Sequence, residues 1–174
     1  MRDAWVLTTL LAALVAPLAA QEEDVGIAVG ATVPAVTVRD LDGKPVDLAQ
    51  YVGKKPVLVE FWATWCPICK ALLPKMEAAH RRYGDKVAFL VVAVAVNESQ
   101  NSVRRHLSQH PMPFRFLWDE DGAAVRAFQA PSTSYIVVLD ANGKVVYTGA
   151  GEEQDVEGAV GKAVTGRVGQ GRAP

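Results

Sequence analysis

The sequence predicts an α/β fold built on a mixed sheet. Three observations predict it. Short apolar runs of strand length alternate with stretches of helical spacing, two strand pairs are joined by turns that carry Asp-Gly and Asn-Gly, and an apolar-periodic segment closes the chain after the last of these pairs.

The elements follow in order. Val36-Thr37-Val38 and Val46-Asp47-Leu48 flank Asp42-Gly43-Lys44 and read as a hairpin. Val57 to Trp62 is a nearly continuous apolar run, the signature of a central strand buried on both faces. From Cys66 to about Tyr83, Leu72, Leu73, Met76 and Ala79 recur at helical spacing, and Arg81, Arg82 and Gly84 mark the end. Val87 to Val96 is a second buried strand, and Glu98 to Gln109 a polar helix. Phe114 to Trp118 alternates as a strand, Gly122 to Phe128 is a short helix, and Tyr135 to Leu139 pairs with Lys144 to Tyr147 around Asn142-Gly143. Val156 to Val164 is the last helix.

Composition narrows the function. The 174 residues are 50% hydrophobic and 21% charged, enough for one globular domain with terminal extras. Lys and Arg number 18 against 19 Asp and Glu, a net charge of -1, so no basic field attracts phosphate backbones and no nucleic-acid partner is expected. Two cysteines exclude a disulfide-dense scaffold and a four-cysteine zinc site.

Ala4 to Ala20 is an apolar run with a charged start and small residues before the polar Gln21-Glu22-Glu23-Asp24, the layout of a secretory signal peptide cut after Ala20. A retained membrane anchor is the competing reading. Both place the body outside the cytoplasm, where disulfides persist. The expected organisation is a signal segment over 1–20, a linker over 21–31, one domain over 32–165 and a flexible tail over 166–174.

The chemistry gathers at Phe61-Trp62-Ala63-Thr64-Trp65-Cys66-Pro67-Ile68-Cys69-Lys70, where a buried strand runs into a helix. A cysteine at a helix N-terminus meets free backbone N–H groups and the positive end of the helix dipole, which stabilise a thiolate. Such placement lowers a thiol pKa from about 8.5 toward roughly 3.5–7.5. Pro67 falls in the first turn, where its missing N–H costs nothing. Cys69 lies one turn further on, within reach of Cys66 and expected to be the more buried sulfur. A purely structural bridge across so short a loop would add little stability. His80, His106 and His110 stand at no zinc-ligand spacing from the pair and read as ordinary surface or capping residues; no metal and no cofactor is expected.

From about Gly30 to Ala163 the chain resembles the thioredoxin-fold proteins of the exported TlpA/ResA-type thiol-disulfide oxidoreductases. The resemblance rests on the Phe61 to Lys70 block, on Pro74 inside the following helix and on the Leu139 to Lys144 hairpin; the Val36 to Leu48 segment is similar to the hairpin these members add at the amino terminus. It implies a thioredoxin-like three-layer sandwich, a mixed sheet flanked by helices. It also implies a redox-active Cys66–Cys69 disulfide with Cys66 as nucleophile and Cys69 as resolving thiol.

Two further positions gain meaning from it. Glu60 interrupts the apolar strand six residues before Cys66, matching the buried acid of thioredoxin that assists proton transfer at the second cysteine; burial raises a carboxyl pKa and suits a general base. Counting back from Gly143 puts Ser134 where the family carries a cis-proline that binds the substrate backbone, with Pro131 three residues earlier. A trans bond is the expectation at Ser134. Substrate contacts are expected at Trp65, Pro67, Ile68, Thr133 and Ser134.

The resemblance further implies protein thiols or disulfides as substrates, reduction as the usual direction, often of apocytochromes c or copper-site proteins, and a membrane redox partner. A monomer, periplasmic or otherwise extracytoplasmic, is expected. A peroxidase is disfavoured because Ala63 stands where its threonine would be. The rival is a thioredoxin-like module that binds copper(I) through the two thiolates or docks a partner without turnover.

Overall fold

The computed structural model describes residues 26–166. The signal segment, residues 21–25 of the expected linker and nearly all of the expected tail lie outside these residues. The elements run β1 (Thr37–Asp40), β2 (Pro45–Asp47), a 3-10 turn (Leu48–Gln50), β3 (Val57–Trp62), α1 (Pro67–Tyr83), β4 (Ala88–Val94), α2 (Gln100–Gln109), β5 (Arg115–Asp119), α3 (Ala123–Ala127), β6 (Tyr135–Leu139), β7 (Val145–Gly149) and α4 (Val156–Thr165).

The seven strands form one mixed sheet in the order β2-β1-β5-β4-β3-β6-β7. β3, β4 and β5 are parallel neighbours, their crossovers supplied by α1 and α2. The two hairpins are antiparallel additions, β1 against β5 and β6 against β3. Both hairpins turn alike: Asp40 Oδ1 accepts from the N–H groups of Asp42 and Lys44, Asp140 Oδ1 from those of Asn142 and Lys144, and Gly43 and Gly143 each take φ +80. That left-handed φ is open to glycine without a Cβ clash, which is why the Asp-Gly and Asn-Gly signals find the turns.

Strand alternation divides the core between the two faces of the sheet. On one, Leu58, Ile136 and Val138 pack against Leu72, Met76 and Ala79 of α1 and Ala159, Val160 and Ala163 of α4. On the other, Val57, Val59, Phe61, Val92, Val137 and Leu139 share a core with Ala124 of α3, while α2 lies on the α1 side, its His106 against Trp62. The fold is therefore the thioredoxin-like three-layer sandwich with the added amino-terminal hairpin.

Residues 26–31, expected as linker, are packed on the domain instead. Ile27 is buried and its N–H donates to the Tyr135 hydroxyl at 3.1 Å, while Gly30 and Ala31 exchange backbone bonds with Val145. An acidic, glycine-bearing composition does not reveal that an apolar Ile27 has a buried place waiting. The second core helix begins at Gln100 rather than Glu98, because the Ser99 side chain caps it.

Candidate active site

β3 delivers the site. It is paired on both sides, so Glu60 stands opposite Val91 of β4 and Ile136 of β6 in the middle of the sheet. After Trp62 the chain leaves the sheet, turns with the Cys66 N–H donating to the Ala63 carbonyl at 3.2 Å, and enters α1. Cys66 is the N-cap of α1, extended at φ -81 and ψ 108, and Pro67 opens the first turn. The Cys69 N–H donates to Cys66 Sγ at 3.0 Å. Sulfur thus takes the place that a serine or aspartate oxygen holds at an ordinary helix start.

Cys66 and Cys69 form a disulfide, with Cα atoms 5.3 Å apart. Both are buried, at 4% and 2% exposure, and Cys69 is the deeper. No acidic side chain lies in the first turn of α1, so the helix itself offers nothing to oppose a thiolate there. Pro74 lies inside α1 and has no N–H to give to the preceding turn.

Glu60 is 3% exposed and its Oε1 has no hydrogen-bond partner. Burial alone pushes its carboxyl up to about 8. Alternation along β3 sets it on the face shared by Leu58 and Trp62, the face that α1 covers. It is an acid that holds or releases a proton near neutral pH, beneath the helix that carries Cys69.

Two depressions border the segment 65–69, one lined by Trp65 and the other reaching both cysteines. One is an apolar groove of about 340 Å³ between Trp65 and Val96 on one side and Pro131, Ser132 and Thr133 on the other. Trp65 is 48% exposed, and its indole N–H donates to the Val96 carbonyl at 2.8 Å. Pro67 and Ile68 stand exposed at the rim of the disulfide. The second is a slot of about 310 Å³ that reaches Cys66 and Cys69 and is walled by Trp62, Lys70, His106, His110 and Met112. His106 leans on Trp62, ring centroids 5.6 Å apart, and stacks with His110 at 4.7 Å.

The expected site residues do not all come together. Trp65 and Thr133 face the groove. Ser134 does not: it is buried, its N–H donates to the Phe61 carbonyl at 2.7 Å, and its hydroxyl accepts from the Gly151 N–H at 3.2 Å. Its φ is +65, a left-handed conformation that costs a non-glycine residue roughly 1–2 kcal/mol, and no peptide bond among the described residues is cis. Pro131 is exposed and lines the groove in its stead. Gln154 fixes this loop, its amide N–H groups donating to the Ser134 carbonyl at 2.9 Å and the Gly151 carbonyl at 2.7 Å.

The histidines read as surface or capping residues include two that wall the slot. Val103, His106, Leu107 and His110 mark one face of α2 in the sequence, but nothing there says that this face lies over the cysteines. Glu98, Met112 and Gln154 also escape a sequence reading. Among the described residues no group of three or more His, Cys, Asp or Glu is placed to hold a metal ion.

Comparison with known proteins agrees with this geometry. The Redoxin family profile matches residues 28–163. The chain is 30% identical over 141 residues to the thioredoxin-like protein YneN of Bacillus subtilis, covering 78% of this chain and 81% of that one. It is 30% identical over 156 residues to the thiol-disulfide oxidoreductase ResA of Geobacillus thermodenitrificans, covering 87% and 88%. Among solved structures, a secreted Mycobacterium tuberculosis disulfide oxidoreductase superposes with a TM-score of 0.62 at 27% identity over 72% of this chain and 94% of that one. The thioredoxin domain of a Bacteroides vulgatus thiol-disulfide oxidoreductase shares the fold, with a TM-score of 0.66 at 22% identity over 79% and 99%. The chain belongs to the Redoxin family and, within it, is a thiol-disulfide oxidoreductase of the TlpA/ResA type.

Proposed function

We propose that this oxidoreductase acts outside the cytoplasm as a reductant of disulfides in protein substrates. The observation that carries the reading is the Cys66 sulfur capping α1, with an apolar groove walled by the preceding residue, Trp65. In the dithiol form the Cys66 thiolate attacks a substrate disulfide; an S–S bond forms to Cys66, the substrate S–S bond breaks, and one substrate sulfur leaves as a thiol. Cys69 then gives its proton to Glu60 and attacks Cys66 Sγ. The Cys66–Cys69 bond forms, the mixed disulfide breaks, and the second substrate sulfur leaves as a thiolate; both leaving sulfurs take their protons from water, Glu60 returns its proton to water, and two electrons have passed to the substrate.

Glu60 serves here as the general base toward Cys69. A carboxyl poised near 8 by burial holds a proton about as readily as a thiol of ordinary pKa, which is the match that proton transfer at neutral pH requires. Trp65, Pro67, Ile68, Pro131 and Thr133 present the surface on which a substrate strand rests, and Ser134 holds the loop behind it. The pair between the cysteines, Pro67-Ile68, brings no histidine or charge that would favour a strongly oxidising poise. Net reduction draws electrons from a partner, and the apolar Ala4 to Ala20 segment directs the domain to the side of the membrane where such a partner is needed.

The reduction potential of the Cys66–Cys69 pair tests the direction. A value well below the glutathione range, with reduction of insulin or an apocytochrome by the purified protein, is expected; a value near the most oxidising exchange proteins would reverse it.

A further inference from the structure

Glu98 has no part in the chemistry above. It ends the turn between β4 and α2, immediately before the Ser99 cap, and both its carboxylate oxygens are spent on one residue. The Thr64 N–H donates to Oε2 at 3.1 Å and the Thr64 hydroxyl donates to Oε1. Beside this clamp runs the bond from the Trp65 indole to the Val96 carbonyl. The turn 96–98, which passes through Asn97 at φ +52, therefore grips the segment 64–65 by three hydrogen bonds.

The gripped segment stands between the end of β3 and the first turn of α1, two residues before Cys66. Trp65 and Val96, one from each side of the grip, form one wall of the apolar groove. The position of that wall relative to Cys66 is thus set by the clamp. The choice of a carboxylate is informative. A carboxylate supplies a strong, two-point acceptor for the Thr64 N–H and hydroxyl together.

We propose that Glu98 is a positioning residue for the exchange reaction: by clamping Thr64 it holds Trp65 against Val96, and so fixes the groove wall that delivers a substrate disulfide to Cys66. The inference rests on the groove's role in docking, as proposed above.

The test uses the full chain, reduced, as wild type and as Glu98→Ala, Glu98→Gln and Thr64→Val. Rates are measured with a disulfide-bonded peptide carrying apolar residues beside its cysteines and with oxidised glutathione, and Trp65 emission is read against a Trp65→Phe background. Glu98→Ala is expected to lose about tenfold with the peptide but no more than about threefold with glutathione, with Trp65 emission shifted to the red. Glu98→Gln, whose amide oxygen accepts from the Thr64 N–H and whose amide N–H donates to the Thr64 hydroxyl, stays within about twofold of wild type. Thr64→Val, which keeps the backbone bond, loses about threefold with the peptide and carries the test should Glu98→Ala not fold.

A wild-type peptide rate in Glu98→Ala, an equal loss with both disulfides, or no rescue by Glu98→Gln overturns the proposal. A wild-type protein that exchanges with glutathione but not with the peptide overturns the reading of the groove instead. The clamp then stands or falls on the Trp65 emission shift.

Discussion

The backbone N–H of Cys69 donates to the sulfur of Cys66 at 3.0 Å, so the two cysteines are joined both by the S–S bond and by the helix cap. The cap favours Cys66 as the sulfur that carries negative charge once the bond is reduced, and leaves Cys69 the deeper thiol. Replacing Cys69 by Ser is therefore expected to trap a mixed disulfide between Cys66 and a substrate, seen by mass spectrometry as an adduct released by dithiothreitol. Cys66→Ser should give no adduct while keeping its stability, since serine is itself a good N-cap. Adducts on Cys69 in the Cys66→Ser protein would reverse the roles.

Glu60 makes a prediction with a definite sign. Its pKa rises from 4.5 to about 8 on folding because burial disfavours the carboxylate. Below about pH 4.5 both folded and unfolded chains hold the proton and nothing is lost. Between that pH and about 8 only the folded chain holds it, so stability falls as pH rises, by about 1.4 kcal/mol per unit. Above about 8 the loss is complete. Urea denaturation of the oxidised protein from pH 5 to 9 should show this slope in wild type and not in Glu60→Gln. The same substitution should slow resolution of the mixed disulfide and remove the inflection near 8 from its pH profile; unchanged resolution would discard the general-base role.

Much of this architecture is legible in the chain because each signal has one physical outlet. Val57 to Trp62 is too apolar to border water on either face, and the structure places it between β4 and β6. Cys66 is legible as a helix cap because a proline follows it and a helical stripe follows that. The walls of the site are another matter. Thr64 meets Glu98 across 34 residues of sequence, and neither residue type at its own position announces the other. Ser134 is misplaced for a related reason: counting along the chain locates the position, but whether its side chain faces substrate or Gly151 is decided by the loop after β7. Local spacing specifies elements; which faces meet is a property of the packed whole.

His106 should titrate low. Burial beside Trp62 lowers its pKa from 6.5, the neighbouring His110 lowers it further, and Glu98 opposes both. As pH falls through 6.5 the unfolded chain therefore takes up this proton before the folded one, and stability declines until the folded His106 also charges. Two-dimensional NMR of the imidazole resonances should give His106 a midpoint below that of a free histidine, and His110→Ala should move it upward. A midpoint at or above 6.5 in the wild type would mean that the slot is wetter than its walls imply.

Gln154 should matter both to stability and to docking. It is one of few buried polar side chains among the described residues, and every part of its amide is used: Nε2 donates to the carbonyls of Ser134 and Gly151, and Oε1 accepts from the Tyr147 hydroxyl at 3.2 Å. Ser134 is held from three sides, its left-handed backbone by Phe61 and Gln154 and its hydroxyl by Gly151. Gln154→Ala strands the buried Ser134 carbonyl, an unpaired acceptor that costs about 1–3 kcal/mol, and frees the loop to relax from its strained φ. The unfolding free energy should drop by about 2 kcal/mol in urea titration. Pro131 and Thr133, which line the groove from that loop, should then bind less well, raising KM for a peptide disulfide while the reduction potential of Cys66–Cys69 stays put. Loss of stability with an unchanged KM would show that the loop keeps its shape without Gln154, and that Ser134 is held by Phe61 and Gly151 alone.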